Sequence, residues 1–486
     1  MRLPLAAGAL GIVLSAFGGI ILLPAVVACI EAEYWSTIPF LAASAGAVTL
    51  GQLCRWYGGF DKNFDNLKRN EGLLIVVLTW VLCGVFGAVP YLFFKLSFID
   101  ALFESVSGIT TTGATILKDF APYSKTFFFW RSLTQWLGGM GIIVLFVAIL
   151  SEFGVAGRKI FFAEAPGPRE EKITPRVAQT AKALWLVYLL LTMLEILFLV
   201  LAGMEWFDAV CNAMSTMAAG GFSPHPQSIM GYQNDAVTWI VMLFMFLAGS
   251  NFALQYRMFI KRQYLCLINS EEFKFYFGAT ALFSACLFFA LYFYHQETPG
   301  NCMRDSAFQI VSIITTTGFS SADFALWAVP AQVLIFAMML VGGCAGSAGG
   351  GVKVVRVLFV FKFLKREIDQ IIHPSAVLPI KIDRITLPDD IQRQMFGFLL
   401  FYLVVLIFSG LVVTMIEHDA MIGFVGTAAT IGNVGPGFGE IGPMGSYGNL
   451  NAFTKILFII DMLVGRLELI PFFAMLSPEF WILERK

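Results

Sequence analysis

Charge is what this chain has little of. Only 13% of its 486 residues are Asp, Glu, Lys or Arg, and the formal net charge is −1. No basic run with interleaved aromatics occurs, so no nucleic-acid partner is expected. The four histidines, at 225, 295, 373 and 418, are too dispersed to suggest a metal site. Eight cysteines never form a Cys-x-x-Cys pair and fall mostly inside apolar segments, where they read as small buried hydrophobes. What remains is apolar: 58% hydrophobic residues and a mean hydropathy of +0.77, far above a soluble protein of this length. The chain reads as an integral membrane protein.

Against this background one semi-polar phrase repeats. Ser107-Gly108-Ile109-Thr110-Thr111-Thr112-Gly113 returns as Ser312-Ile313-Ile314-Thr315-Thr316-Thr317-Gly318. Ala218-Ala219-Gly220-Gly221-Phe222-Ser223 shares the Gly-Phe-Ser ending of the second copy, and Gly432-Asn433-Val434-Gly435-Pro436 is a looser fourth. Asp100, Asp208 and Asp305 each lie thirteen residues before a glycine, Gly113, Gly221 and Gly318. That spacing predicts a short helix with an acidic N-cap running into a glycine turn. In the fourth copy the same count from Asp419 selects Gly432, whereas similarity selects Gly435; Gly435 is preferred, with a helix starting one turn later.

Apolar segments flank each phrase. Two leading helices (3–30 and 37–53, within 1–70) precede four units at 71–155, 156–262, 263–370 and 371–486. Each unit has an outgoing span (72–98, 183–202, 275–294, 396–416) and a return (127–150, 237–259, one from 329, 453–482). The expected fold is therefore all-α, ten spanning helices in a pseudo-fourfold arrangement of helix–pore loop–helix repeats. The run at 3–30 is longer than a signal peptide's apolar core and is expected to be retained. Arg55, Lys62, Lys68, Arg69, Arg158, Lys159, Arg257, Lys261, Lys362 and Lys365 gather on one side, which places both termini in the cytoplasm. The charged stretches 156–182 and 361–394 are too short to build a core, and read equally as solvated connectors or as a docking surface for a cytoplasmic partner.

Non-helical chain at membrane depth must be buried in protein or line water. Thr-Gly backbone is suited to turning carbonyls inward to replace an ion's hydration shell, and a short helix pointing its C-terminal end at that place favours a cation. The expected ion ligands are Thr111, Thr112 and Gly113; Ala219, Gly220 and Gly221; Thr316, Thr317 and Gly318; Asn433, Val434 and Gly435. A second feature is Gly342-Gly343-Cys344-Ala345-Gly346-Ser347-Ala348-Gly349-Gly350-Gly351, which interrupts a half-completed crossing just before Lys353. Glycines on every face do not suit simple helix packing, so the stretch reads as a loop able to obstruct the pathway, with Lys353 adding positive charge. In the last span Asp461, Arg466 and Glu468 are costly in lipid, and Arg466 is expected to contact the glycine-rich loop. Asp461 and Glu468 either relay protons or pair with Arg466. Ser347 in Ala-Gly-Ser-Ala-Gly gives a hydrolase alternative, with no base nearby in sequence.

With the filter phrases, Trp130-Arg131-Ser132-Leu133-Thr134-Gln135-Trp136-Leu137-Gly138-Gly139-Met140-Gly141 and the stretch from Gly342 to Lys353 in view, the whole chain resembles the potassium-translocating subunits of bacterial Trk systems, in the Trk/Ktr/HKT superfamily. The resemblance implies filter glycines at Gly113, Gly221, Gly318 and Gly435. It implies selectivity for K+, because a serine at the first position goes with sodium. It implies a bacterial inner-membrane homodimer, each protomer with its own pore, controlled by a cytoplasmic ring of nucleotide-binding regulatory subunits. It also implies a gate formed by Gly342, Gly343, Gly346, Gly349, Gly350 and Gly351 and held by Arg466. Ala218-Ala219-Gly220 departs from the Thr-x-Gly pattern, which removes hydroxyls from that unit and leaves its carbonyls. The alternative within transport is a proton- or sodium-coupled potassium symporter.

Overall fold

A computed structural model describes residues 2–59, 68–141, 177–295, 298–376, 378–467 and 469–481. The leading helix Leu3–Ile20 continues through Leu22–Ile30, and Thr37–Tyr57 packs back along it. Small residues set this contact: a methyl on Gly11 would lie 2.4 Å from the carbonyl oxygen of Gly51, so the two backbones nearly touch.

Four times thereafter the chain forms a long helix, a short helix, a turn and a return helix. The long helices are Arg69–Phe93, Val177–Leu201, Glu271–His295 and Asp389–Glu417. The short ones are Phe98–Ile109, Trp206–Met217, Pro299–Ile314 and Ala420–Ile431. The returns begin as Lys125–Gly139, Asp235–Ala248, Val329–Met339 and Ala452–Arg466. Among the described residues six helices are long and apolar enough to cross a membrane, and Asp235–Ala248 with Phe252–Phe259 makes a seventh candidate bent by 105°.

Three of the four long helices keep apolar faces outward, with only 22% of the apolar stretch of Glu271–Tyr294 buried, whereas that of Asn70–Phe93 is 61% buried. An exterior of that kind is solvated by lipid. The short helices are enclosed instead, with Phe103 to Ile109 and Val425 to Ile431 buried residue after residue.

Two expectations need correction. The return segments are not unbroken spans: each of the four helices stops or bends partway. At the break, glycine lets the return come against a short helix: a methyl on Gly138 would fall 1.8 Å from Ile109 O, and one on Gly465 2.1 Å from Ile431 O. Nor do the aspartates share an N-cap position. Ser97 and Glu205 precede the first two short helices, leaving Asp100 and Asp208 in the first turn, and Asp305 lies well inside the third, bonded to Arg304. Asp419 is a true N-cap, accepting from Met421 N and Ile422 N, so the fourth short helix starts directly after it and not one turn later as expected. It therefore corresponds to Ser97 and Glu205, each sixteen residues before its glycine, and Gly435 is its partner.

Candidate ion-pathway site

All four short helices end in the same way. The amide of Thr112 donates to Ser107 O at 2.9 Å, Gly220 to Ser215 O at 2.9 Å, Thr317 to Ser312 O at 2.8 Å and Val434 to Ala429 O at 2.8 Å. The preceding amides of Thr111, Ala219, Thr316 and Asn433 donate three residues back. This paired pattern is a Schellman cap, which requires a left-handed residue just past the helix. Those four residues have φ of 56°, 54°, 58° and 53°. Glycine takes this conformation without strain and Asn with little, whereas for the other three residues it costs about 1–2 kcal/mol each. Two residues on, Gly113, Gly221, Gly318 and Gly435 are left-handed again, with φ of 81°, 76°, 79° and 99°. Gly432 is right-handed and merely ends its helix.

The turns meet one another in chain order. A methyl on Gly113 would lie 2.2 Å from Gly220 O, on Gly221 2.0 Å from Thr317 O, on Gly318 2.2 Å from Val434 O, and on Gly435 2.5 Å from Thr112 O. The fourth contact returns to the first turn. One cavity is lined by all four glycines, with Arg131 and Tyr447 among its other walls.

Side chains hold this arrangement, and three of them, Arg131, Glu104 and Tyr447, are not among the site residues expected from sequence. The Arg131 guanidinium donates to Glu104 at 2.7 Å, with both side chains buried, and its carbon lies 3.9 Å from the centre of the Phe222 ring. Glu104 in turn accepts from Ile116 N at 3.0 Å, beyond the first turn. Tyr447 OH donates to Gly435 O at 2.7 Å, and Asn433 Nδ2 to Thr112 Oγ1 at 2.9 Å. Charged and amide groups inside apolar helices were the available signal; their partners are too distant in sequence to read. At the rim, outside the long helices, Lys125 Nζ donates to Glu205 Oε1 at 3.0 Å, and this bond to a carboxylate raises the Lys125 ammonium above its ordinary pKa.

The glycine-rich stretch lies against the turns. Gly342 N donates to Val352 O at 2.7 Å and Val354 N to Gly343 O at 3.0 Å, closing a loop. Cys344 N and Ala348 N reach Gly249 O and Ala248 O, at the break in the second return helix. Gly350 N donates to Thr316 Oγ1 at 2.7 Å. A methyl on Gly349 would be 2.8 Å from Thr315 O, and one on Gly350 2.7 Å from Asn433 Cβ. Gly346 and Gly351 have φ of 72° and 66°. The buried Lys353 ammonium donates to Gly349 O, within the loop itself. Arg466 bonds Ala348 O at 2.8 Å and Gly138 O at 2.6 Å, tying the loop to the first return helix. Glu272, unremarked in sequence, accepts from Ala345 N at 2.6 Å.

Asp461 is held by Ser409 Oγ at 2.5 Å rather than by Arg466. Glu468 and the first linker through residue 176 lie outside the described residues. Ser347 Oγ donates to Cys344 O at 2.6 Å, an ordinary turn contact.

A family model described as TrkH, cation transport protein, matches residues 60–298 and 292–481. The chain belongs to the TrkH family. TrkH proteins are transporters and not enzymes, which sets aside the hydrolase reading of Ser347. Relatives include the "Trk system potassium uptake protein TrkH" of Salmonella typhimurium, 37% identical over 97% of this chain and 98% of that protein. The "Trk system potassium uptake protein TrkG" of Escherichia coli is 36% identical over 88% of each. The fold is similar to the crystal structure of the potassium transporter TrkH from Vibrio parahaemolyticus, with a TM-score of 0.89 and 35% identity, covering 99% of this chain and 100% of that one. With its lipid-facing long helices, this TrkH-family chain is a multi-pass membrane protein.

Proposed function

We propose that this chain takes up K+ across a bacterial inner membrane through a pore on a pseudo-fourfold axis, with ten spans and both termini in the cytoplasm. The observation that carries the reading is the circuit of contacts from Gly113 through Gly221 and Gly318 to Gly435 and back to Thr112. Backbone oxygens of the four turns replace the ion's water, and the negative ends of four short helices favour a cation there. The names of the relatives supply K+ as the cargo. Residues 342–351 form the gate, resting against Thr316 and Asn433 and held by Arg466. The chain works as a homodimer, and a cytoplasmic ring of nucleotide-binding subunits draws the gate aside. Flux of K+ and Rb+ into proteoliposomes with Na+ largely excluded is the test; equal Na+ flux defeats it.

Coupled symport is the second reading, motivated by the buried Asp461, whose bonded partner is a hydroxyl rather than a cation. A reversal potential that moves with a pH gradient supports symport, and one that follows K+ alone supports the pore.

A further inference from the structure

The turns are braced in unlike ways. In the first and third units the brace is local: Thr110 Oγ1 bonds Thr112 Oγ1 at 2.8 Å and Thr315 Oγ1 bonds Thr317 Oγ1 at 2.7 Å. Ser107 and Ser312 donate across their own turns to Ala114 O and Phe319 O, both at 2.6 Å. The second unit has neither device. Ala218 and Gly220 stand where the threonine pair would be, and the hydroxyl of Ser215, aligned with Ser107 and Ser312, is buried without a hydrogen-bond partner.

Gln135, on the return helix of the preceding unit, occupies the gap. It is fully buried. Its Nε2 donates to Gly220 O at 2.6 Å while its Oε1 accepts from Phe222 N at 3.0 Å. The amide orientation is fixed by chemistry, because a backbone carbonyl only accepts and a backbone N–H only donates. Room for it exists because residue 220 is glycine: a methyl there would be 2.5 Å from Gln135 Cδ.

We propose that Gln135 is a positioning residue for ion selectivity, a bracket across Gly221 that replaces the hydroxyls the second turn lacks. In a trans peptide the C=O and N–H point opposite ways. With Phe222 N–H turned to Gln135, the Gly221 carbonyl faces away from the return helix, toward the cavity shared with Gly113, Gly318 and Gly435. The Gly220 carbonyl keeps a second lone pair. This inference rests on the potassium-pore reading, and the experiment separates the two.

K+ and Na+ flux is measured in proteoliposomes for the wild type, Gln135→Met and Gln135→Asn. Met keeps the length with no donor and only a weak sulfur acceptor; Asn keeps both but falls one methylene short. A buried hydrogen bond left unmade is worth about 1–3 kcal/mol, so either variant is expected to lower the K+:Na+ flux ratio about tenfold while K+ still passes. Gly220→Ala, which displaces the carboxamide, should produce the same fall, and should add little in the Gln135→Met background. A selective wild type with an unchanged ratio in Met or Asn, whichever inserts and purifies, overturns the assignment of Gln135. Additive effects of Gly220→Ala and Gln135→Met overturn it too. A wild type that passes both ions equally overturns the pore reading itself.

Discussion

Arg466→Ala is the sharpest perturbation of the proposed gate. Its guanidinium joins three backbone carbonyls: Ala348 in the glycine-rich loop, and Gly138 and Gly139 at the end of the first return helix. The bond that matters for gating is the one to Ala348 O. A hydrogen bond to a charged group contributes about 1.5–3 kcal/mol. If the seated loop loses that much relative to the displaced one, the displaced population rises about ten- to hundredfold. Other contacts persist, including Gly350 to Thr316 and Ala345 to Glu272, so the loop is loosened rather than released. The assay is Rb+ flux through the chain alone, without regulatory subunits, normalised to reconstituted protein. Basal flux should rise by an order of magnitude or more. Arg466→Lys, which keeps one donor group on a flexible stem, should fall between. Flux unchanged or lowered in properly inserted Arg466→Ala would refute the latch, and Arg466 would then serve only to cap the return helix.

Three further outcomes are expected. Gly113→Ser puts a side chain where φ is 81° and a Cβ would lie 2.2 Å from Gly220 O; the turn must shift, and the K+:Na+ flux ratio should fall about tenfold, the equivalent of about 1.4 kcal/mol. Arg131→Met leaves Glu104 buried without its cation, a defect worth about 3–5 kcal/mol, so thermal unfolding in detergent should begin well below the wild type; an unchanged midpoint refutes the brace. Asp461→Asn keeps a polar partner for Ser409 and should leave the K+ reversal potential unmoved by a pH gradient; a pH-linked shift present in the wild type and abolished in the variant would install symport instead.

What was legible in the sequence and what was not divides along physical lines. Local conformation was legible where one residue type is required: glycine at 113, 221, 318 and 435 is demanded by left-handed backbone and by a neighbouring carbonyl, so repetition exposed the turns. The left-handed residues two positions earlier escaped, because Thr, Ala, Thr and Asn share no side-chain chemistry and the conformation is imposed by the Schellman cap. The aspartate spacing misled in detail, since first-turn and N-cap acids are both favourable at a helix N-terminus and a count of thirteen does not separate them. Gly138-Gly139 and Gly249-Ser250-Asn251 carried the signal for broken return helices, but apolar composition on both sides suggested continuity. Contacts between distant segments were beyond reach: nothing near Gln135 announces Gly220, and nothing near Arg466 announces Ala348 or Gly138. These contacts share a logic. Each carries a polar side chain, Gln135 fully buried and Arg466 half-buried, from one unit to the backbone of another, where few waters reach the carbonyls it satisfies. Four turns of unequal sequence are thereby held in one geometry by supports that differ from unit to unit, so equivalence among the turns belongs to the backbone and not to the side chains.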